Sequence, residues 1–482
     1  ALLSSRPCRE RDLVVAMVAA RILQPHSKLA TTRWWHVTTL PEILGVSDAT
    51  EDDLYDAMDW LLERQERIEK KLAARHLREN GLVLYDLTSS YFEGTTCPLA
   101  ALGHPRDGIK GKLQVNYGLL ASPRGCPVSV SVYEGNTGDP TTLLEQVTKV
   151  KDAFGIKNLV LVGDRGMITQ KQINSLKDIK GVDWISALKT GGIRELLHSG
   201  ALQMGLFDER NLFELTHPDF PGERLIACRN PELARMRAGK RQDLLLATTQ
   251  ELDKVKRMVE KGRLTGRDKI GVRVGRVINK YKMAKHLALV IDDGRFDYEI
   301  RQDQVAAEAA LDGIYVIRTS LPKERISTED AVRSYKSLSD VERAFRSLKS
   351  IDLLVRPIRH RLEDRVRAHI FLCMLSYYVE WHMLEAWRPL LFADEDQKAK
   401  AERDPVAPAK RSKAALVKVA TKRLDDDTVA HSFRTMMTEL SGIVRNICRR
   451  RGAEPSEPTF RMITTPNPKQ ARALALLDTI RV

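Results

Sequence analysis

The chain has 482 residues, too many for one compact core, so two to four domains are expected. An ordinary 43% of apolar residues predicts that most of the chain folds, and a net charge of +14 favours a polyanionic partner, most simply nucleic acid. The six cysteines are scattered without a CxxC pair, which supports neither a zinc site nor a disulfide framework and suits a reducing cytosol.

Residues from Arg9 to about Asn80 read as helical. The run Leu13 to Ala20 has the length of a signal-peptide core, but Glu10 and Asp12 precede it and Arg21 follows it, so it reads as a buried helix. Ala1 opens in mid-pattern, which leaves an upstream segment to be expected. The stretch from Ser27-Lys28 to Arg33-Trp34-Trp35 reads either as a Trp pair packed in a small helical core or as a DNA contact. Glu51 to Leu77 has apolar residues at Leu54, Met58, Leu61, Leu62, Ile68 and Leu72, the pattern of one long charged helix.

From Gly81 the pattern turns to strands. Gly81 to Leu87 is one. Lys112 to Ala121 and Pro127 to Glu134 are two more, joined by the turn Ser122-Pro123-Arg124-Gly125. A helix over Thr141 to Phe154, a strand over Asn158 to Val162, a helix over Thr169 to Asp178 and a strand over Trp184 to Leu188 follow. Three meandering strands and then βα units predict a mixed sheet with helices on its faces. The strand before Asp164 is expected to lie beside the strand holding Asp86.

Thr190 to Ile326 reads as an inserted, strand-rich domain. It has a helical stretch, Glu232 to Lys261, and strands at Val272 to Ile278, Leu287 to Ile291, Phe296 to Ile300 and Ile314 to Arg318. Twelve Lys or Arg fall between Lys254 and Lys285 against two acidic residues, Glu260 and Asp268. A solvated face mixes its signs, so this run reads as a phosphate-tracking surface. Neutralising Z phosphates would give a salt slope of about −0.9Z.

Val332 to Lys349 reads as one helix. On it Tyr335, Glu342 and Lys349 recur every seven residues and so line one stripe, while Leu338, Val341, Phe345 and Leu348 face a core. The basic cluster Arg356 to His369 and a strongly apolar helix, Ala368 to about Trp387, follow. The best apolar run, Ile370 to Val379, is about half the length of a membrane span. Asp394 to Ala415 is a charged linker, and a helical segment ends at Arg449-Arg450-Arg451 before a Pro-rich tail. No internal repeat is evident.

Asp86, in Leu84-Tyr85-Asp86-Leu87-Thr88, and Asp164, in Val162-Gly163-Asp164-Arg165-Gly166, each fall at the end of an expected strand, where open α/β sheets bind ligands. Each carboxylate alone has a plainer reading. Asp86 precedes Thr88-Ser89-Ser90 and suits a cap, Asp164 suits a turn, and Glu342 suits a surface. On this strand order the three together point to a metal site. Converging carboxylates repel unless a cation lies between them, Mg²⁺ takes oxygen ligands, and two such ions about 3.5–4 Å apart clamp an in-line phosphoryl displacement.

These motifs resemble the DDE transposases of bacterial insertion sequences. The match is to the branch with a Tyr-(2)-Arg-(3)-Glu-(6)-Lys signature and a β-rich insertion before its glutamate. Here the signature reads Tyr335-(2)-Leu338-(3)-Glu342-(6)-Lys349. The other matching motifs are Tyr85-Asp86-Leu87-Thr88-Ser89, Gly163-Asp164-Arg165-Gly166-Met167 and Gly135-Asn136-Thr137-Gly138-Asp139, the last read as a structural turn. The resemblance covers roughly Gly81 to Trp387.

It implies an α/β fold: an RNase H-like mixed-sheet core interrupted by a β-strand-rich insertion, with helical N- and C-terminal regions. The expected boundaries are 1–80 for a helical DNA-binding or dimerisation region and 81–189 for the first part of the core. The insertion is 190–326, the second part of the core 327–392, and the charged linker with a helical region 393–482. It further implies metal-dependent cleavage at element ends, freeing a 3′-OH that attacks target DNA. Asp86, Asp164 and Glu342 would be catalytic ligands of two Mg²⁺ ions, with Mn²⁺ as a substitute, and Tyr335 and Lys349 would hold phosphates. The partners would be the terminal inverted repeats and target DNA, bound by a homodimer or higher synaptic complex on the bacterial nucleoid, in the cytoplasm and away from any membrane. The alternatives are an endonuclease of the same fold without strand transfer and a domesticated DNA-binding protein.

The chain departs from the signature at Leu338. A helical wheel puts Leu338 about 60° from Tyr335, bordering the apolar arc, and Arg346 within about 20°. Arg346 is therefore the expected source of the missing guanidinium, its alternative being an ordinary solvent-facing arginine.

Overall fold

The computed structural model describes residues 2–207, 211–394, 396, 402–407, 411–452 and 454–481. Two compact units divide the chain: Ala1–Ser186 with Arg333–Arg403 and Ala409–Val482, and Ala187–Val332 with Asp404–Pro408.

The first unit opens with five helices, α1 (Arg9–Leu23), α2 (Lys28–Trp35), α3 (Leu40–Leu44), α4 (Glu51–Leu62) and α5 (Gln65–His76). Leu13, Val14, Ala16, Met17 and Ala20 of α1 are buried, as is Trp35. The single helix expected over Glu51 to Leu77 is instead two. Arg64 N–H bonds Leu61 O at 3.1 Å, tightening the last turn, and the Arg64 guanidinium folds back to Trp60 O at 2.9 Å. The bend serves two packing surfaces. Leu54, Met58 and Leu61 face α1 and the later helix Glu363–Ala386, whereas Ile68 and Leu72 face the third strand of the sheet.

That sheet comprises β1 (Gly81–Tyr91), β2 (Gln114–Ala121), β3 (Pro127–Glu134), β4 (Leu159–Val162) and β5 (Val182–Ala187), in the order β3-β2-β1-β4-β5. Helices α6 (Asp139–Thr148) and α7 (Gln170–Lys177) follow β3 and β4. The β1-β2-β3 pairings are antiparallel and the β1-β4-β5 pairings parallel, the RNase H-like arrangement. β1 is longer than its apolar run predicts. It pairs with β2 as far as Tyr91 but with β4 only from Gly81 to Leu84. Asp86 therefore lies within a strand, just past the point where its parallel neighbour has run out.

The second unit holds α8 (Thr190–His198), β6 (Leu212–Leu215), β7 (Arg224–Arg229), α9 (Pro231–Glu260), α10 (Arg267–Tyr281), β8 (Leu287–Ile291), β9 (Phe296–Ile300), α11 (Gln302–Ala309) and β10 (Ile314–Thr319). Strands β10, β7 and β6 are antiparallel neighbours, and β8 and β9 form a hairpin. Two expectations fail here. Val272 to Ile278 is not a strand but part of α10, because Ile270, Val274 and Val277 sit at helical spacing and pack on Leu252, Val255 and Val259 of α9. The insertion is also not dominated by strands, since α9 runs for 30 residues and α10 for 15. The basic run lies on this helix pair, with its apolar positions turned inward and most of its Lys and Arg exposed.

Back in the first unit, the helix expected over Val332 to Lys349 is broken. α12 (Thr328–Lys336) ends before Ser337, α13 (Leu338–Arg346) follows, and Ser347–Ile351 is a wider i→i+5 turn. Ser337 Oγ donates to Ser334 O at 2.6 Å, and Asp340 N–H bonds Ser337 O at 2.8 Å, both of which bend the ladder. Leu338, Val341, Phe345 and Leu348 are buried as expected. Tyr335, Glu342 and Lys349 thus ride on three consecutive segments, not on one straight stripe.

The apolar helix is α14 (Glu363–Ala386), which packs on α1, α4 and β3. Among the described residues no helix is long and apolar enough to cross a membrane. Three short helices (Lys413–Thr421, Phe433–Leu440 and Pro468–Leu477) and the hairpin Arg445–Cys448 with Phe460–Ile463 complete the unit. Of the charged linker, residues 395, 397–401 and 408–410 lie outside the described residues.

Candidate active site

Asp86 is half-buried on β1, and its Oδ1 accepts the Leu87 N–H at 2.8 Å. It caps no helix. Asp164 follows the end of β4, where its Oδ1 accepts from Gly166 N–H at 2.9 Å and Met167 N–H at 2.7 Å. The turn reading of Asp164 is therefore correct, and it is also what aims the side chain: two backbone donors hold one oxygen and leave Oδ2 without a hydrogen-bond partner among the described residues. Glu342 is exposed on α13, which packs on β1. Gly125, at φ +76° in the β2-β3 turn, lets that hairpin approach α13, since a Cβ there would lie 2.7 Å from the Cβ of Asp340.

Asp164 and Glu342 both act on the charge of Asp86. Burial pushes the Asp86 carboxyl up to about 7, and the Asp164 and Glu342 charges push in the same direction, opposed by the Leu87 N–H and by Arg106. Tyr335 stands in the same field: burial raises its phenol to about 12, Asp164, Glu342 and Asp86 add to the rise, and Arg165 opposes it. It is a neutral O–H donor at physiological pH. Lys349 is buried beside the wide turn, and its ammonium is lowered to about 8, first by burial and then by Arg356 and Arg106, while Asp107 and Asp86 support its charge. Asp107 in turn accepts the Tyr91 N–H at 3.0 Å and lies 3.4 Å from Arg356.

The structure does not bring every expected residue to this point. Arg346 is exposed on α13, with no hydrogen bond or ion pair to the carboxylates among the described residues. The break at Ser337 also removes the wheel argument that aligned it with Tyr335. Leu338 packs into the core, only 8% exposed.

Sequence reasoning missed Arg106, in the loop between β1 and β2. The fields of Asp86 and Asp164 favour its charge, yet burial dominates and lowers its pKa. Its Nη2 is ion-paired to Asp139, its N–H bonds Ser89 Oγ at 3.0 Å, and its Nη1 is buried with no hydrogen-bond partner among the described residues. Asp139 opens α6, at the end of the Gly135-Asn136-Thr137-Gly138-Asp139 element. That turn is structural, as expected, and it also anchors a guanidinium beside the carboxylates. A Pro-Arg-Asp-Gly stretch in a long loop carries no periodicity, so the sequence offered no signal for it.

The donor set is all carboxylate oxygen, several of them unpaired, and like charge accumulates where Asp86 is already driven toward protonation. Such a set fits a hard divalent cation and fits soft metals poorly.

A protein family described as "Transposase DDE domain" matches residues 86–379. No curated protein matches the chain in sequence. Among solved structures, the chain is similar to a piggyBac transposase synaptic complex with hairpin DNA, at 8% identity and a TM-score of 0.41, over 84% of this chain and 69% of that one. It is also similar to a Mos1 transposase paired-end complex with a left transposon end, at 9% identity and a TM-score of 0.17, over 41% of this chain and 66% of that one.

Proposed function

Because this chain belongs to the transposase DDE domain family, we propose that Asp86, Asp164 and Glu342 form its catalytic centre, which cuts the ends of an insertion sequence and joins them to target DNA. DDE transposases are divalent-metal enzymes. The observation that supports the reading is that Asp164 and Glu342 act on the charge of Asp86, with one oxygen each of Asp86 and Asp164 fixed by backbone N–H and the other without a hydrogen-bond partner among the described residues.

Those three residues would hold two Mg²⁺ ions, with Mn²⁺ substituting. When bound, such ions polarise the scissile phosphate and lower the pKa of the attacking oxygen. The chain's own groups would do the rest. Tyr335, kept protonated by its surroundings, donates its O–H to a phosphate oxygen. Lys349, whose charge Asp86 supports, supplies an ammonium, and phosphate binding there would restore the charge that burial weakens. Arg106 supplies a guanidinium toward the carboxylates and their phosphate, a role the sequence had assigned to Arg346. The exposed Lys and Arg of α9 and α10 would follow the DNA backbone. Two or more chains would act on paired ends, on the bacterial nucleoid.

The test uses the full chain with DNA bordering its coding sequence, Mg²⁺ and a plasmid target. Cleavage at a terminal repeat and joining of a pre-cleaved 3′-OH end are expected, both lost in Glu342→Gln. Cleavage without joining would replace this reading with that of an endonuclease. DNA binding with no metal-dependent cleavage would leave only a DNA-binding protein.

A further inference from the structure

Away from the carboxylates, a second group of metal-binding side chains meets in the first unit. His76 ends α5, Cys126 precedes β3 in the β2-β3 hairpin, and His382 lies on α14. One ligand atom from each, an imidazole nitrogen or the thiol sulfur, lies within 4.8 Å of the other two. We propose that His76, Cys126 and His382 form a binding site for a borderline transition-metal ion, Zn²⁺ foremost, that clamps α5, the hairpin and α14 together.

The geometry is close to what zinc needs. Bonds of about 2.3 Å to sulfur and about 2.0–2.1 Å to nitrogen in a tetrahedron put ligand atoms roughly 3.3–3.6 Å apart. Binding would draw the three ligand atoms, now within 4.8 Å of one another, together to that spacing. The frame is aromatic and tight: the His382 ring packs 4.7 Å from Tyr378 and 4.9 Å from Trp381, and the Tyr378 hydroxyl is 3.0 Å from His76 Nε2.

The chemistry also fits. Nε2 of His382 is buried with no hydrogen-bond partner among the described residues, an unused lone pair or donor in a place where water does not reach. Burial holds both imidazoles below their ordinary pKa, His382 at about 4, so both are neutral and able to ligate. Burial also holds Cys126 as a thiol; on binding, its proton would leave to solvent and the thiolate would take the metal. The nearby Arg75 and Arg124 cations oppose a dication, and Glu385, shared between Arg124 and Arg388, offsets them only in part. One sulfur and two nitrogens select Zn²⁺ or a similar ion over Mg²⁺, so the two sites would not compete. A fourth position remains for water or the Tyr378 hydroxyl.

The experiment uses the full chain, stripped with chelator and titrated with Co²⁺ in excess Mg²⁺. One Co²⁺ per chain is expected, with a thiolate-to-cobalt charge-transfer band in the near ultraviolet that Zn²⁺ abolishes. The band should vanish in Cys126→Ser and His382→Gln and persist in Asp86→Asn, which separates this site from the carboxylates. Zinc X-ray absorption on the unmodified chain needs no variant to fold, and should show one sulfur with nitrogen or oxygen neighbours. No thiolate band, a band that survives both variants, or a zinc site lacking sulfur would each overturn the proposal.

Discussion

Replacing Arg106 by Ala gives the sharpest test of the site, because it sets the structure against the sequence pattern. The guanidinium is 21% exposed, paired to Asp139, and in the field of Asp86 and Asp164, with one nitrogen unbonded among the described residues. If that nitrogen bonds a phosphate oxygen as charge develops, its loss removes one charge-assisted hydrogen bond, about 1.5–3 kcal/mol. At about 1.4 kcal/mol per decade, end cleavage should fall roughly 10- to 150-fold. The loop should keep its course, because the Ser89 bond is to the backbone N–H of residue 106. Arg106→Lys should recover only part of the rate, since an ammonium cannot replace a planar fork. Asp139→Asn loosens the guanidinium without removing it and should fall between. The assay is single-turnover cleavage of labelled end DNA, with thermal unfolding as the check on folding. Arg346→Ala should cleave within about threefold of wild type, the scale of an exposed charge with no built partner. A folded Arg106→Ala chain that cleaves at the normal rate, beside an inactive Arg346→Ala chain, would refute the assignment and restore the stripe.

Two further outcomes follow from buried contacts. Ser347 Oγ lies 2.6 Å from Asp352 Oδ2 and 2.5 Å from Glu380 Oε1, and one hydroxyl proton cannot serve both, so a carboxyl proton must complete the set. Burial, reinforced by Asp352, accordingly raises Glu380 from 4.5 to about 8. Its folded pKa is raised, so its stabilising contribution is complete below about pH 4.5 and is lost as pH rises through about 8. The wild-type Tm should drop more between pH 6 and pH 9 than that of Glu380→Gln; parallel curves would disprove the shared proton. Gly118 pairs with Leu87 in the sheet, and a Cβ on it would lie 2.7 Å from the Tyr85 ring. Gly118→Ala should cost roughly 1–3 kcal/mol by overpacking beside Asp86, recovered in part by Tyr85→Leu. An unchanged denaturation midpoint for the single variant would show that the ring moves freely.

What the chain reveals of itself before folding depends on the range of the interactions involved. β3 and the β4-Asp164 step are legible because apolar runs bounded by turn residues are local signals, and the sheet order follows from how such units connect. α10 is misread for a related reason. Val272, Val274 and Ile278 fit a strand alternation nearly as well as Ile270, Val274 and Val277 fit a helical spacing, and only contact with Leu252, Val255 and Val259 decides between them. The break at Ser337 involves its side-chain bond to Ser334 and the Asp340 N–H bond to its carbonyl, which no seven-residue periodicity registers. Three carboxylates spread from position 86 to 342 are recognisable because each keeps a local context of its own. Arg106 has none, and neither does the meeting of His76, Cys126 and His382, whose nearest separation along the chain is 50 residues. The absence of CxxC spacing excluded only metal sites built from neighbours in sequence. A site assembled from a helix end, a hairpin and a distant helix is visible only once the sheet has set the distances between them.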